Sequence, residues 1–428
     1  MDKFDVIIVG AGLAGLSAAY TLAQAGIEVV VIERGDYPGA KNVTGGRLYV
    51  NPVRQYLPDI WDEAPLERHV TNELLTMMSS ENSTTIRFRS EKFNRPPYHS
   101  YTVLRATFDR WLASRAEEAG AMLVTKNLVD DIIKENGRVI GVVAGGEELG
   151  ADVVIACDGA LSLITEKAGL RSPGDPKNYA VGLKEVIELP RETLEDRFGL
   201  TGDEGVAQLF MGSLTQGCFG GGFLYTNKSS ISLGMVVGIK DLMEKKPPVE
   251  VPNLLDDFKE RPEIAALIRG GEQVEYSAHV IPEGGIDGLT TLFSDGLLVA
   301  GDAAGFSLNM GITVRGMEFA IASGVMAARA VQQARERHDF SAASLACYQQ
   351  MLEESFVLQD FKTFRHAPHF LENPRLFSFY PQFAGRVMEE VFTFGEGPKA
   401  KLSDTVRKHL SFGEAWRIAR DLWGGLKI

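Results

Sequence analysis

The chain has few cysteines. Cys157, Cys218 and Cys347 are spread over its 428 residues, and no two of them form a C-x-x-C motif. Disulfide frameworks, zinc knuckles and iron–sulfur clusters held by one chain all require clustered thiols, so the sequence excludes them. We therefore expect three small buried residues, no metal site and a reducing, cytoplasmic location.

Basic charge and long apolar runs are also scarce. Lys and Arg number 44 against 57 Asp and Glu, which gives a net charge of −13 at pH 7. An acidic surface repels phosphates, so nucleic acid is not an expected partner. No run of about eighteen consecutive apolar residues occurs, and the sequence predicts no transmembrane helix. The strand-like opening FDVIIVG, from Phe4, does not resemble a signal peptide.

A glycine-rich loop follows the first predicted strand. Phe4–Val9 reads as a buried strand, Leu13–Ala25 as a helix and Glu28–Glu33 as the next strand. Between strand and helix, GAGLAG at 10–15 fits the G-x-G-x-x-G motif. The first glycine permits a tight turn, the second lets the backbone approach a pyrophosphate, and the third lets helix and strand pack closely. The helix N-terminus offers free N–H groups to the phosphates.

An acidic residue completes this pattern. Glu33 lies eighteen residues after Gly15, at the end of the second predicted strand. Its carboxylate can accept hydrogen bonds from an adenosine ribose and would repel a 2′-phosphate, which disfavours NADP. The pattern predicts a dinucleotide site without distinguishing NAD from FAD. The alternative is a β-α-β unit that tolerates glycine and binds no ligand.

A second strand–loop–helix pattern occupies Leu297–Gly324. Asp302 follows the strand and can bind a ribityl hydroxyl, a group that FAD has and NAD lacks. A helix is predicted to begin within NMGITVRG, where backbone N–H groups near Gly311 and Ile312 would stabilise negative charge at the N1–C2 edge of a reduced flavin. The two patterns would then bind the two ends of one FAD. The alternative is a packing unit whose Asp caps the helix.

Two features of pyridine-nucleotide flavoenzymes are missing. The sequence has no second strand–G-x-G-x-x-G–helix unit, since GGEELG at 145–150 lies in a predicted hairpin region near Asn136-Gly137, and it has no C-x4-C pair. A dedicated NADH domain and a thiol relay are therefore not expected. The flavin must receive electrons from a donor that needs no nucleotide domain.

The predicted elements indicate an α/β fold with interleaved parts. A Rossmann-like FAD-binding domain of the glutathione-reductase type would comprise residues 1–75, 100–180 and 285–335. An inserted antiparallel β-rich domain, for substrate or quinone, would comprise 76–99 and 181–284. Residues 336–428 would form a helical C-terminal region.

Several motifs resemble known flavoproteins. GAGLAG with Glu33 and Arg34, LRATFDRWL with Arg105, CDG at 157–159 and GDAAG at 301–305 resemble the geranylgeranyl reductase and aromatic hydroxylase group of FAD proteins. More specifically, GAKNVTGGRLY, GGGFLYT and YSAHVIPEGG resemble the FixC/EtfC-type flavoproteins, which are short relatives of electron-transfer-flavoprotein:quinone oxidoreductase. The resemblance covers essentially the whole chain.

The resemblance implies roles for individual residues. Glu33 would bind the adenosine ribose, Arg105 would lie by the phosphates or ribityl chain, and Asp302 would bind the ribityl chain. The loop from Ala40 to Arg47 would pass over the isoalloxazine. No catalytic side chain is implied, because the protein positions and tunes the flavin. The predicted cofactor-binding residues are Gly10, Gly12, Ala14, Gly15, Glu33, Arg34, Gly45, Gly46, Arg105, Asp302, Gly311 and Ile312.

The resemblance also implies partners. The larger quinone oxidoreductases carry a cysteine-rich [4Fe–4S] domain at the C-terminus, whereas the last cysteine here is Cys347. In FixC/EtfC-type systems a separate ferredoxin-like subunit supplies that cluster, alongside a two-subunit electron-transfer flavoprotein. The chain would then pass electrons from that flavoprotein to a quinone. The alternatives are a flavin reductase of isoprenoid double bonds, like geranylgeranyl reductases, and a flavin-dependent monooxygenase.

One stretch is a candidate quinone site. From Gly205 to Ile239, Lys228 is the only charged residue, and the alternation predicts strands. These strands are either buried within the inserted domain or wall an apolar channel whose exposed rim rests on a bilayer. In the second case Gly221 and Tyr225 would contact quinone, and the protein would be peripheral on the inner face of the cell membrane.

Other features have plain structural interpretations. His366 and His369 flank Pro368 and are not expected to form a metal pair. His279 would lie near the flavin or be structural. The last helix places its apolar residues on one face, and docking of this face on the protein body is favoured over contact with a membrane or partner. That face consists of Phe412, Trp416, Ala419 and Trp423.

Overall fold

The structure is a computed structural model that describes residues 2–41 and 46–428. Its strands are β1 (Asp2–Val9), β2 (Val29–Ile32), β3 (Arg47–Tyr49), β4 (His69–Met78), β5 (Ser83–Arg89), β6 (Ser100–Thr102), β7 (Met122–Val124), β8 (Val129–Glu135), β9 (Arg138–Ala144), β10 (Glu147–Ala156), β11 (Tyr179–Glu188), β12 (Glu204–Gly212), β13 (Gly220–Thr226), β14 (Ser230–Gly238), β15 (Glu272–Pro282), β16 (Phe293–Ser294), β17 (Leu297–Val299), β18 (Leu308–Asn309) and β19 (Val314–Arg315). Its helices are α1 (Leu13–Gln24), α2 (Arg105–Glu118), α3 (Leu163–Ala168), α4 (Arg191–Phe198), α5 (Ile239–Glu244), α6 (Val251–Glu260), α7 (Pro262–Ile268), α8 (Met317–Glu336), α9 (Ala342–Leu345), α10 (Cys347–Glu354), α11 (Phe356–Thr363), α12 (Ala367–Leu371), α13 (Phe379–Phe392), α14 (Leu402–Lys408) and α15 (Phe412–Gly425).

The first sheet has a parallel core. Its order is β16-β17-β10-β1-β2-β7, with the β8–β9 hairpin attached through β10. Strands β17, β10, β1, β2 and β7 are parallel, and the loops after β1, β2, β10 and β17 therefore meet at one edge. The predicted β-α-β unit and the hairpin at Asn136-Gly137, whose φ angles are +50° and +86°, are confirmed.

The second sheet is larger and mixed. Its order is β15-β11-β14-β13-β12-β4-β6-β3, with β5 attached to β4. Strands β3 and β6 and most of β4 lie in residues that the sequence analysis assigned to the FAD-binding part, whereas the structure pairs them in this sheet. The pairing joins distant segments, such as β4 with β12, and leaves no local signal in the sequence. The domain boundaries themselves remain a prediction.

The helix predicted to begin near Gly311 begins later. A short hairpin, β18–β19, occupies this segment, with Leu308 paired to Arg315. Gly311 lies in its turn with φ +87°, a left-handed conformation that interrupts a helix. Helix α8 starts at Met317 instead. The prediction that Gly311 and Ile312 lie at a helix N-terminus is therefore wrong.

The region after α8 is helical, as predicted, but its last helix packs differently. Phe412, Trp416 and Trp423 of α15 are 92%, 63% and 68% exposed, so the expected docking of this apolar face on the body is wrong. Asp421 joins α15 to the rest of the chain, since its carboxylate accepts hydrogen bonds from Arg375 Nε at 2.9 Å and the Tyr380 hydroxyl at 2.8 Å. Polar contacts therefore hold this helix.

Two further sequence expectations concern the cysteines and membrane-spanning helices. Cys157 and Cys218 are buried as predicted, whereas Cys347 is half-buried. Among the described residues, no helix combines the length and apolar character that a membrane span requires.

Helices α1 and α8 pack closely enough to exclude a side chain. A Cβ at Gly324 of α8 would lie 2.1 Å from the carbonyl oxygen of Ala14 in α1. We predict that Gly324→Ala lowers the free energy of unfolding by about 1–3 kcal/mol, because the helices must separate. Denaturant unfolding of the FAD-loaded protein measures this.

A matched glycine provides the control. Gly413 lies in exposed α15, where the nearest atom to an added Cβ is 3.9 Å away. Gly413→Ala is expected to change stability by less than about 0.5 kcal/mol. Equal effects of the two substitutions would contradict the packing explanation.

Candidate functional site

A cavity of about 700 Å³ opens at the carboxyl edge of the parallel sheet. Its lining combines the loops after β1, β2, β10 and β17 with strands of the second sheet and residues of the C-terminal region. Cofactor sites of this size commonly occupy such an edge. The cavity contains most of the side chains that the sequence analysis selected.

The glycine-rich loop forms one end of the cavity. Gly10 has φ +101°, and a Cβ there would lie 2.4 Å from the carbonyl oxygen of Cys157, so no other residue fits. Gly12 is the N-cap of α1 and lines the cavity together with Ala14. Gly15 packs behind them, since its Cβ would meet the carbonyl oxygen of Gly10 at 2.0 Å. These positions suit a pyrophosphate at the helix N-terminus.

Glu33 stands beside this loop. One carboxylate oxygen accepts a hydrogen bond from Ala11 N at 2.8 Å, and the other accepts one from Gly35 N at 2.6 Å. Both Glu33 and Arg34 line the cavity. The acid thus fixes the loop and lies at the cavity, while its binding of a ribose stays a prediction.

Arg105, Asp302 and His279 form a charged group on the cavity wall. Arg105 starts α2 and donates to both carboxylate oxygens of Asp109, at 2.7 and 2.8 Å. Asp302 lies in a 3₁₀ turn at Gly301–Ala304, after β17. Burial raises the pKa of Asp302, and the positive charges of His279 and Arg105 oppose that shift. Burial has the opposite effect on His279, whose pKa it lowers, because a buried imidazole is less stable in its charged form.

These placements fit an extended dinucleotide. The lining runs from Glu33 and the first glycine loop to Asp302 and Gly311, as the two-ended binding of FAD requires. Gly311 lines the cavity and its N–H donates to Asn309 Oδ1 at 2.9 Å. Ile312 does not join the site, because it lies outside the lining and is 71% exposed. Gly45 lies outside the described residues.

Gly46 and Tyr225 connect the loop to the second sheet. A Cβ at Gly46 would lie 2.3 Å from Tyr225 Cδ2, so the loop backbone rests on the tyrosine ring. The ring stacks on Phe223 with centroids 5.3 Å apart, and burial raises the pKa of Tyr225 to about 12. Gly221 also lines the cavity. Gly46, near the end of the candidate flavin loop, is therefore adjacent to the candidate quinone residue Tyr225.

The sequence analysis missed the C-terminal wall of the cavity. Leu371 of α12, Leu376 and Phe377 line it, and the Phe377 ring lies with its centroid 5.8 Å from that of Phe219, which directly precedes β13. No local motif marks these residues. Glu283 was also missed, although it lies in the quoted segment YSAHVIPEGG.

The ion pairs of two half-buried arginines that line the cavity were not predicted either. Arg47 pairs with Glu73, and its guanidinium lies 4.4 Å from the Tyr49 ring centroid. Arg315 pairs with Glu318 and with Asp360. Each cation neutralises a carboxylate that burial would otherwise destabilise. The pairs hold β3 and β19 in place beside the cavity.

Removal of the Asp302 carboxylate tests the grip on the cofactor. We predict that Asp302→Ala weakens FAD retention by about 1–3 kcal/mol, or about 5- to 150-fold in Kd, because a hydroxyl partner is lost. Equilibrium dialysis followed by flavin absorbance measures the change. Asp287→Ala, at an exposed carboxylate nearby in the chain, is the control and should retain FAD. Bound NAD without flavin in the purified protein would overturn the assignment.

Comparisons with known proteins identify related families and folds. Residues 3–196 match the family model described as "FAD binding domain", residues 179–281 match "ETF-QO, ubiquinone-binding", and residues 367–428 match "ETF-QO/FixC family C-terminal domain". The fold resembles that of a geranylgeranyl bacteriochlorophyll reductase-like protein from Thermoplasma acidophilum. That structure has a TM-score of 0.73 and 23% identity, over 99% of this chain and 100% of that chain.

Relatives of similar length are also found. The chain is 48% identical to the probable electron transfer flavoprotein-quinone oxidoreductase YdiS of Escherichia coli K12, over 95% of each chain. It is 49% identical to Protein FixC of the same organism, over 93% of this chain and 92% of the relative. Protein FixC of Azorhizobium caulinodans is 40% identical over 98% and 99%. The chain therefore belongs to the FixC family of electron transfer flavoprotein-quinone oxidoreductases and is an FAD-dependent oxidoreductase.

Proposed function

We propose that this chain is the FAD-containing subunit of an electron-transfer complex. It accepts electrons from an electron-transfer flavoprotein, directly or through a ferredoxin-like subunit, and passes them to a quinone. The observation that carries the proposal is the cavity, which joins the dinucleotide-binding loops to an apolar wall. Much of that wall lies within the segment that matches the ubiquinone-binding family model.

The chain's own residues would bind and orient the cofactor. The N-terminus of α1 with Gly10 and Gly12 receives the pyrophosphate, Glu33 the ribose, and Asp302 the ribityl chain. The positive charge of Arg105 acts on Asp302 and offsets negative charge in this part of the cavity. When bound, FAD supplies the capacity to accept and release two electrons.

The second sheet and the C-terminal region would bind the quinone. Leu209 and Met211 of β12 line the cavity, and Leu209 is paired across the strands with Phe223. Tyr225 and Gly221 stand beside them. A Cβ at Gly221 would lie 2.3 Å from the carbonyl oxygen of Phe210, so close approach of β12 and β13 explains this glycine. An apolar wall suits a quinone ring and its isoprenoid tail.

A bulky side chain in this wall tests the electron acceptor. We predict that Leu209→Trp slows oxidation of the reduced protein by decylubiquinone about tenfold or more, because the ring is displaced from its reactive position. Anaerobic stopped-flow absorbance measures the rate, and the flavin-to-protein ratio checks FAD retention. Leu209→Met is the volume-conserving control and should react like the unsubstituted chain.

Stopped-flow absorbance of the oxidised protein, mixed with candidate donors, tests the electron donor. Reduced electron-transfer flavoprotein, with a co-expressed ferredoxin-like subunit, should reduce the bound FAD quickly, whereas NADH alone should reduce it slowly. Rapid bleaching by NADH alone would contradict the proposal and favour a monooxygenase. Saturation of a geranylgeranyl chain by the reduced protein, with no quinone turnover, would favour the isoprenoid reductase alternative.

The number and positions of the possible metal-ligating side chains support a separate iron–sulfur partner. The three cysteines are free and far apart in the chain. The described residues contain no group of three or more His, Cys, Asp or Glu side chains placed to hold a metal ion. A cluster on the electron path would therefore belong to another protein.

We also propose a peripheral membrane contact at the inner face of the cell membrane, but at a different surface from the predicted rim. Residues 205–239 are mostly buried in β12–β14 or line the cavity. Large exposed apolar side chains are instead frequent near the end of the chain. They include Phe392, Phe394, Leu402, Phe412, Trp416, Leu422, Trp423 and Leu426, which we call the C-terminal apolar set.

The charge and position of this region support lipid contact. Residues 367–428 carry nine Lys and Arg against seven Asp and Glu, whereas the whole chain has a net charge of −13. Helix α12 carries cavity residue Leu371, and Phe370 of the same helix lies against Gly424 and Gly425 of α15. A quinone at a bilayer contacted by α15 would therefore meet the cavity wall nearby.

Replacement of two tryptophans tests this contact. We predict that Trp416→Ser with Trp423→Ser lowers partitioning of the FAD-loaded protein onto phosphatidylglycerol-containing vesicles about tenfold or more, because apolar area no longer enters the interface. Vesicle co-sedimentation measures it. Met243→Ser, at an exposed apolar residue of α5, is the control. Unchanged vesicle binding would exclude this surface, and loss of ferredoxin-like subunit binding instead would assign it to that partner.

A further inference from the structure

Glu283 is a cavity residue that forms no ion pair with any other described residue. It follows β15 directly, and its backbone N–H donates to the carbonyl oxygen of Asn178 at 2.7 Å. The next residues turn sharply at Gly285, whose φ is +57° and whose Cβ would lie 2.7 Å from Pro368 Cγ of α12. Glu283 is therefore held between the second sheet and the C-terminal wall, where it lines the cavity.

Among the described side chains, the one that acts on the Glu283 carboxyl group through a hydrogen bond is neutral. The Asn309 side-chain amide lowers the pKa of Glu283, because it can donate a hydrogen bond to the carboxylate. Asn309 Oδ1 accepts from Gly311 N at 2.9 Å, and the amide N–H₂ is the only end of the side chain that can donate to a carboxylate. Glu283 thus connects, through Asn309, to the turn predicted to lie by the flavin.

Charged groups on the neighbouring elements are engaged elsewhere or exposed. His279 on β15 and Asp302 after β17 influence each other, and Arg315 on β19 pairs with Glu318 and Asp360. On α12, His369 is exposed and pairs with Glu372, which follows the helix, and His366 before it is also exposed. Within the described residues, none of these groups forms an ion pair with Glu283.

This environment favours the neutral acid. Burial raises the pKa of Glu283 to about 7, and the Asn309 hydrogen bond opposes the shift only in part. Glu33 differs, since two backbone N–H groups bind its carboxylate. Asp158 also differs, because Ser162 Oγ and Ile164 N donate to it at 2.6 and 3.2 Å. Glu283 alone among these carboxyls combines a cavity position with a single neutral partner.

We propose that Glu283 is the proton-exchange group of this site. The inference rests on the proposed function, in which reduced FAD donates to a quinone. Conversion of a quinone to a quinol requires two electrons and two protons. With both electrons and one proton drawn from bound, reduced FAD, the Glu283 carboxylic acid would give the second proton to a quinone oxygen. The carboxylate that remains regains a proton from solvent, which balances the cycle.

Proton uptake on reduction tests this role without a quinone. The FAD-loaded protein is photoreduced anaerobically in weak buffer with a pH-indicator dye, near pH 8 and near pH 6. Near pH 8 the unsubstituted chain should take up more protons per two electrons than Glu283→Gln, by up to about one, because new negative charge on the cofactor draws a proton onto the carboxylate. Near pH 6 the two should agree, since Glu283 is already neutral.

Matched variants separate this role from a structural one. Glu283→Gln keeps the size and hydrogen bonding of the neutral acid, so FAD retention should be unchanged. Asp287→Asn removes an exposed carboxylate nearby and should behave like the unsubstituted chain. In single-turnover oxidation by decylubiquinone near pH 8, Glu283→Gln should be about tenfold slower, and Glu283→Asp should recover part of the rate.

The outcomes distinguish this inference from the proposed function. Equal proton uptake in Glu283→Gln and the unsubstituted chain near pH 8 would overturn the inference, whether or not quinone is reduced. A Glu283-dependent proton uptake without any quinone reduction would overturn the proposed acceptor and the donation step. Both effects together would support proton transfer from Glu283 to quinone.

Discussion

The site depends on backbone-to-backbone contact around the N-terminus of α1. An added Cβ at Gly10, Gly15 or Gly324 would lie 2.0–2.4 Å from a neighbouring carbonyl oxygen. These three contacts press α1 against the loop after β10, its own entry turn and α8. A side chain at any of these positions would force α1 away from its neighbours and so displace the helix N-terminus that lines the cavity. The glycines are therefore positional requirements rather than sources of flexibility.

The second half of the cavity is assembled from distant segments. Strands β12 and β13 contribute to its lining, and so do Leu371, Leu376 and Phe377 from the C-terminal region. The parallel pairing of β4 with β12 brings residues more than a hundred positions apart into one sheet. This arrangement places the apolar wall next to Tyr225 and Gly46, and so next to the loop that the family resemblance assigns to the flavin.

Buried charge is distributed unevenly around the cavity. Arg47, Arg105 and Arg315 each pair with carboxylates, which offsets their desolvation and fixes nearby backbone. Glu283 has a neutral amide instead. The difference separates residues that maintain the shape of the site from one whose protonation can change. New negative charge on a reduced cofactor would change the protonation of Glu283 more than that of the carboxylates that are paired with arginines.

The sequence by itself determined the parallel β-α-β unit, the dinucleotide loop with Glu33, the position of Asp302 after a strand and the family. These features depend on neighbouring residues, because a turn, a short strand and a helix start are set by local sterics and periodicity. Only the tertiary structure decided the late start of α8, the exposed face of α15, and the C-terminal wall of the cavity. It also revealed the environment of Glu283. Each of these depends on which distant segment packs alongside, and apolar or acidic residues carry no local mark of their eventual neighbours.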